Sequence, residues 1–330
     1  MLNMHRLPFN LNFSMFSILC TFIITGHSSG YEPWRSSSIS SSTTITSSSS
    51  QPQQHQSHHF LPNLLKILPK KALDGHNHNH QQNHYPNIAS ANSITYSPSR
   101  LHTSFLTAAK GDITEAWSRF QETLAWRHKE RIDYILHEKH EHFEIIKQYY
   151  PHYFHLRGWK NEPVYYEKPA KMNLAAMKKE GITVDILLRH FALITEYMWR
   201  CLDPREDGRS IYIIDLDGMR IRDFVGDVIT FVKRATEFTS KHYPERSGSI
   251  FVVNAPSWFH YVWKIVKPMV DADTVTKISI VGGGEQIYSA LKTCIPLENI
   301  PPDYGGLSMP LGYAPEERFL VEMMRKNNIV

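Results

Sequence analysis

Residues 243–284 read YPERSGSIFVVNAPSWFHYVWKIVKPMVDADTVTKISIVGGG, and this stretch decides the architecture. Ser249 to Asn254 is a short apolar run stopped by Ala255 and Pro256, the signature of a buried strand. Ser257 to Met269 follows at helical length. Thr276 to Val281 is a second apolar run closed by Gly282, Gly283 and Gly284, and Glu285 to Cys294 is again long enough for a helix. Working outward, Asp223 to His242 predicts a helix, Ser210 to Leu216 a buried strand, and Ile186 to Leu202 a long amphipathic helix. Val164 to Tyr166, after the helix-stopping Pro163, predicts a further strand. Short apolar strands alternating with helices imply an α/β fold, a mostly parallel sheet flanked by helices.

Ahead of this region, Phe105, Leu106, Ala109, Ile113, Ala116, Trp117, Phe120 and Leu124 recur at three- and four-residue steps, with Asp112 placed to open the second helix. A small all-helical segment over 100–150 therefore precedes the sheet-forming part, 151–306. In the tail, 307–330, Phe319, Leu320, Met323 and Met324 have the spacing of a short packing helix.

The chain has 330 residues, 42% hydrophobic and 21% charged, enough for one large or two small cores. The longest apolar candidate for a membrane span, Leu11 to Thr25, is interrupted by Asn12, Ser14, Ser17 and Thr21, which excludes a multi-span membrane protein. Residues 1–90 hold five Lys/Arg and two acids, leaving 31 basic against 30 acidic residues beyond them. A near-neutral body lacks the basic face that phosphate neutralisation needs, so no nucleic-acid partner is expected. Cys20, Cys201 and Cys294 are too few for a disulfide framework, and the last two read as free thiols.

Residues 1–30 place His5 and Arg6 before an apolar run from Phe13 to Ile24 and end in Ser28, Ser29 and Gly30, the layout of a secretory signal peptide, with an uncleaved anchor as the alternative. Residues 31–99 form a leader with the composition of disorder: 13 of the 15 residues from Ser36 to Ser50 are Ser or Thr. A Ser/Thr-rich, acid-poor segment behind a signal peptide is similar to the bipartite leaders of plastids bounded by extra membranes. Endomembrane lumen, secretion and plastid targeting are thus the expected destinations, with a cytoplasmic, peripheral-membrane location as the alternative. Nine of the 19 histidines fall in the first 90 residues, and His76, His78 and His80 alternate with Asn. Without carboxylate or Cys partners at fixed spacing they read as a solvated linker, and no metal site is assigned. Phe60 to Leu73, with Leu61, Leu64, Leu65 and Leu68 among Lys66, Lys70 and Lys71 and with Pro62 and Pro69 as bounds, reads as an incidental linker, with a short amphipathic membrane-surface segment as the alternative.

Gly282 to Gly284 lie between a strand and a helix where amides can hold an anion, but the spacing is neither a P-loop nor a dinucleotide fingerprint, and a turn is the better reading. Asp215 and Asp217 sit at a strand end with no nucleophile or metal set beside them, which favours a capping role. No catalytic constellation emerges and no cofactor is expected. The helix from Ser257 is apolar on most faces, through Trp258, Phe259, Tyr261, Val262, Trp263, Ile265, Val266 and Met269, with Lys264 and Lys267 interleaved. Such a helix is either deeply buried or meets lipid.

Several ordered motifs carry a resemblance. Tyr149-Tyr150-Pro151, Pro163-Val164-Tyr165, Asn173-Leu174, Asp215-Leu216 with Gly218, Tyr243-Pro244-Glu245-Arg246, Asn254-Ala255-Pro256, Lys267-Pro268, Asp271, Thr274-Val275, Lys277-Ile278, Ile300-Pro301 and Tyr304-Gly305-Gly306 resemble the CRAL-TRIO lipid-binding domain, in its phosphatidylinositol/phosphatidylcholine transfer branch. Phe105-Leu106 through Trp126-Arg127 is similar to that family's helical N-terminal domain, so the likeness covers roughly residues 100–306. It implies an apolar lipid cavity floored by the sheet, with Trp258, Phe259, Trp263 and Val266 on a gate helix that touches membranes transiently. It also implies a headgroup site of Glu245, Lys277 and Thr274, with Ser210 and Tyr165 retained from the choline-lipid contacts.

Departures are informative. Thr107-Ala108-Ala109 stands where the family carries an Arg-rich motif, removing one phosphate contact, and Tyr212 and Phe154 replace other headgroup residues. This argues against phosphatidylcholine as counter-ligand and favours an inositol lipid. The expected protein is a non-enzymatic, monomeric phospholipid carrier. A carrier of a tocopherol, retinoid or sterol, for which Glu245 and Lys277 are dispensable, is the alternative. A lipid-regulated scaffold is a further one, weakened because no second folded module follows Gly306.

Overall fold

Side-chain caps set where the first helices begin. His102 accepts from the Ser104 amide ahead of α1 (Thr103–Ala108), and Asp112 accepts from the Glu115 amide at 3.0 Å ahead of α2 (Ile113–Lys129), as its position in the sequence predicts. The structure, a computed structural model, describes residues 96–223, 227–267 and 272–329, all within one compact unit. The expectations for the signal peptide, the Ser/Thr-rich leader, its amphipathic segment and the His-rich linker lie outside the described residues.

After a 3₁₀ turn at Ile132–His137 the chain runs through α3 (Phe143–Tyr149), β1 (His152–Arg157), β2 (Pro163–Glu167), α4 (Leu174–Lys179) and α5 (Val184–Tyr197). α5 widens into a π turn at Met198–Leu202. Next come β3 (Ser210–Asp215), α6 (Asp227–His242), β4 (Ser247–Val253), α7 (Ser257–Val266), α8 (Ala272–Thr276), β5 (Ile278–Ile280), α9 (Glu285–Leu291) and α10 (Pro315–Ile329).

Among the described residues the strands form one sheet in the order β1-β2-β3-β4-β5. β1 pairs antiparallel to β2, with Phe154 opposite Tyr165, and every other pair is parallel, with Tyr165 beside Tyr212, Tyr212 beside Ile250 and Ile250 beside Ile278. Because strand side chains alternate between faces, Phe154, Tyr165, Tyr212, Ile214, Ile250 and Val252 share one face and join the main core with α5, α6, α7 and α10. Tyr166, Ile211, Ile213, Phe251 and Val253 point the other way, against Ile287 and Leu291 of α9. Helices on both faces explain why β2 and β3 are buried along their whole length. A satellite cluster of Tyr96, Phe105, Ala109, Ala116 and Phe120 holds α1 to α2.

Three differences from the sequence reading have physical causes. β1 has no clean apolar alternation, because it is the antiparallel edge strand. The run from Thr276 begins with the last residue of α8, so the strand there starts only at Ile278. The tail helix is longer than a short packing helix: α10 spans Pro315–Ile329 and buries Leu320 and Met324 in the main core. No described helix is long and apolar enough to cross a membrane.

Candidate functional site

Parallel strands start at the same end of a sheet, so the residues just ahead of β3, β4 and β5 become neighbours however far apart they lie in sequence. Here Arg209 and Lys277 stand immediately ahead of β3 and β5, and Glu245 stands two residues ahead of β4, with Arg246 between. Glu245 Oε2 receives Lys277 Nζ at 3.5 Å and Arg209 Nη1 at 3.1 Å. Thr274 is buried at the same place, and its carbonyl accepts from the Lys277 amide at 3.0 Å. Ser210 is buried at the start of β3, its amide donating to the Arg246 carbonyl at 3.0 Å and its hydroxyl at 3.4 Å. Of the residues singled out from sequence, Glu245, Lys277 and Thr274 come together, with Ser210 at the adjoining strand start. Tyr165 belongs instead to the apolar sheet face, its ring 5.0 Å from Tyr212 and 5.1 Å from Phe154, where burial raises its hydroxyl well above the usual tyrosine value.

The turn that presents Glu245 is held at both ends. Glu245 itself takes φ +60°, a left-handed conformation uncommon for a residue with a side chain. On one side, Tyr243 donates its hydroxyl to the fully buried Glu196, which also receives Arg127 Nη1 at 2.8 Å and Nη2 at 2.9 Å. Burial alone would raise the Glu196 carboxyl, but the Arg127 charge and hydrogen bonds outweigh it and hold that carboxyl below its ordinary range. The adjacent His242 stacks on Trp126 at 3.9 Å, and its carbonyl accepts from the Tyr96 hydroxyl at 3.0 Å. On the other side, Arg246 lies over the Trp199 ring at 4.5 Å and donates from Nη1 to the carbonyls of Arg205, Glu206 and Gly208 at 2.8, 3.2 and 3.2 Å. α2 and the chain ahead of it therefore reach the charged turn through buried polar contacts.

The apolar side of α7 joins the core cluster that contains Tyr165 and Tyr212. Its Trp258, Phe259, Val262 and Trp263 pack on the main core, whereas His260, Tyr261 and Lys264 face outward. The helix is thus two-sided, not apolar all round. Phe259 is only 2% exposed and is a core residue, while Tyr261, 75% exposed, is the outward aromatic that sequence reading left out of the gate set. The Val266 side chain lies outside the described residues.

The sheet face that carries Tyr165 and Tyr212 also contains an acid. Glu167, on β2, accepts hydrogen bonds from the hydroxyls of Tyr150 and Tyr212, and burial pushes its carboxyl up to about 8. Close by, His152 and His190 share a 2.9 Å contact between their Nε2 atoms, and burial lowers both well below the usual histidine value. Sequence spacing gives no sign of this group, which comes from the residue after α3 and from β1, β2, β3 and α5.

At the opposite end of the strands several motif residues meet in one structural knot. Asp215 accepts from Asn254 Nδ2 at 2.8 Å, the Tyr304 hydroxyl at 2.9 Å and the Asp217 amide at 3.0 Å, the strand-end role expected for it. Gly305 takes φ +82°, and a Cβ on Gly306 would collide with the Ile300 carbonyl, which accounts for the glycine pair after Tyr304. Gly282 belongs to the same turn, its carbonyl accepting from the Asn254 amide at 3.2 Å.

These features define an α/β domain in which an amphipathic aromatic helix packs on the core of one sheet face and a charged cluster sits at the strand starts. The chain belongs to the CRAL-TRIO family, the SEC14-like lipid-binding proteins. The sequence profile of the CRAL/TRIO domain matches residues 147–306. A SEC14 cytosolic factor of Eremothecium gossypii is 32% identical over 212 residues, 62% of this chain and 68% of that protein. A CRAL-TRIO domain-containing protein of Saccharomyces cerevisiae is 31% identical over 218 residues, covering 62% and 69%. The crystal structure of Sfh5 superposes with a TM-score of 0.53 at 19% identity, over 69% of this chain and 80% of that one, a likeness of fold.

Proposed function

We propose that the protein binds a phospholipid one to one, with phosphatidylinositol as the ligand, and carries or presents it between membranes without changing it chemically. The observation that carries this reading is the convergence of Glu245, Lys277 and Thr274, from segments up to 32 residues apart, at the starts of β4 and β5. Lysine offers a compact positive charge to a phosphate diester, and a carboxylate accepts hydrogen bonds from polyol hydroxyls, each charge-assisted bond contributing about 1.5–3 kcal/mol. Acyl chains take the face of Tyr165, Tyr212 and Ile250, and α7, through Trp258 and Trp263, forms the gate. The outward Tyr261 and Lys264, with Lys267 just beyond the helix, suit an anionic membrane interface.

Carriage has a clear energetic purpose. Exposing hydrocarbon costs about 0.8 kcal/mol per CH₂, so freeing two chains of ordinary length costs on the order of 20 kcal/mol. An apolar interior replaces that exposure, and no bond in the lipid needs to break.

Native mass spectrometry with lipid identification, on the full chain purified from a eukaryotic host without detergent, tests the ligand. Bound phosphatidylinositol supports the reading, whereas a sterol or prenyl lipid overturns the headgroup assignment. Lys277→Ala should abolish phosphatidylinositol transfer between vesicles and leave the melting temperature nearly unchanged. Transfer retained by that variant would refute the site.

A further inference from the structure

Arg209 is a second cation on Glu245 beside Lys277, and it has no counterpart among the residues read from sequence. Its Nη1 donates to Glu245 Oε2 at 3.1 Å and to the Ser247 carbonyl at 3.4 Å. Two local features place it there. The β3–β4 ladder carries a bulge, since Ser210 pairs with Ser247 but Ile211 with Ser249, leaving Gly248 as the extra residue. A Cβ on Gly248 would lie 3.3 Å from the Arg209 Cβ, so the glycine leaves room for the arginine stem. Bulges commonly re-aim side chains beside functional sites.

Charge accounting shows what this third group changes. Glu245 and Lys277 together are neutral, and a phosphate diester arriving beside them would bring one uncompensated negative charge into a half-buried place. Their side chains keep only 16% and 20% of their exposure, so solvent screens such a charge poorly. Arg209 sets a second cation on Glu245 beside Lys277, where an arriving diester needs positive charge. Arg209 is 38% exposed, accessible from solvent yet held against Glu245.

We propose that Arg209 is a headgroup-binding residue that, with Lys277, engages the phosphodiester of the bound lipid, and that Glu245 is the counter-charge both cations share until the lipid arrives. This rests on the headgroup reading above and adds to it a second cation for the phosphodiester. A guanidinium presents a planar fork that matches two phosphate oxygens, whereas an ammonium acts as a compact point charge. The competing account is an ordinary surface ion pair, which contributes at most about 1 kcal/mol to stability and nothing to lipid recognition.

The test compares Arg209→Gln, Arg209→Lys and Lys277→Ala in the full chain. Phosphatidylinositol uptake is measured from phosphatidylcholine vesicles doped with phosphatidylinositol, and each variant's melting temperature is recorded. Arg209→Gln should lower uptake about tenfold or more, the loss of one charge-assisted contact. Arg209→Lys should recover part of it, keeping the charge without the fork, and both should melt within about 2 °C of the parent. Unchanged uptake in Arg209→Gln with uptake lost in Lys277→Ala overturns the role of Arg209 and leaves the headgroup site standing. Unchanged uptake in both removes the headgroup site and the role of Arg209 with it. Equal loss in Arg209→Gln and Arg209→Lys with a large fall in melting temperature shows a structural effect and also overturns the proposal.

Discussion

Replacing Arg127 by methionine removes the cation that holds the buried centre of the fold while keeping most of its volume. Arg127 reaches both oxygens of Glu196 at 2.8 and 2.9 Å and Asp133 Oδ1 at 3.0 and 2.6 Å, and the Arg127 and Glu196 side chains are 2% and 0% exposed. Deleting one partner of such a pair leaves the other charge desolvated, which costs about 3–5 kcal/mol. At roughly 2–4 °C per kcal/mol for a domain of this size, the melting temperature should fall by on the order of 10 °C. The loss should depend on pH, and its sign follows from Glu196. In the parent this carboxyl lies below its ordinary 4.5, so it contributes stability above that pH and loses it as pH falls through the lower folded value. In Arg127→Met, Arg200 Nη1 at 3.5 Å and the Tyr243 hydroxyl remain, and burial takes over and raises the carboxyl. The deficit should therefore be largest near pH 8 and shrink toward about pH 5, where protonation relieves the buried charge. Urea denaturation of parent and variant at both pH values reads this directly. A loss below about 1 kcal/mol that does not vary with pH would mean that the pair behaves as a solvated surface contact, and the clamp on the Glu245 turn would have to be abandoned.

Two further outcomes follow from other parts of the molecule. Burial raises Glu167 to about 8 from an ordinary 4.5, so the stability it contributes is complete below 4.5 and is lost as pH rises through about 8. Glu167→Gln should flatten that slope in urea midpoints taken across this range, and parallel profiles for the two proteins would refute the buried-acid reading. On the gate helix, Tyr261→Asp places a negative charge at an exposed position and should slow lipid exchange with anionic vesicles about fivefold, with bound lipid and melting temperature retained. An unchanged exchange rate would show that this face of α7 does not meet the bilayer.

Much of the fold is legible in local pattern. The runs Ser210 to Leu216 and Ser249 to Asn254 are apolar enough to announce central parallel strands, though β4 starts two residues earlier at Ser247, Pro163 marks the start of β2, and Asp112 caps α2 as its place in the sequence predicts. β1 escapes because an antiparallel edge strand is constrained on fewer sides, so its sequence, with His152, His155 and Arg157, need not alternate. α7 reads as apolar on most faces because its polar side is filled by aromatic and amphipathic residues, and only its packing separates the buried Phe259 from the exposed Tyr261.

By itself the sequence determined the strand and helix succession, the parallel sheet class and the motif set that marks the family, because these depend on residue type within a few positions along the chain. Tertiary structure decided which distant residues meet. Parallel strands bring their first residues side by side, so Arg209 and Glu245, 36 positions apart, share a contact that no local spacing encodes. The same holds for Glu167 beneath Tyr150 and Tyr212, and for the reach of Arg127 to Glu196, 69 residues away. Charges at strand ends and polar groups in a core acquire their partners, and hence their chemistry, only when the sheet closes around them.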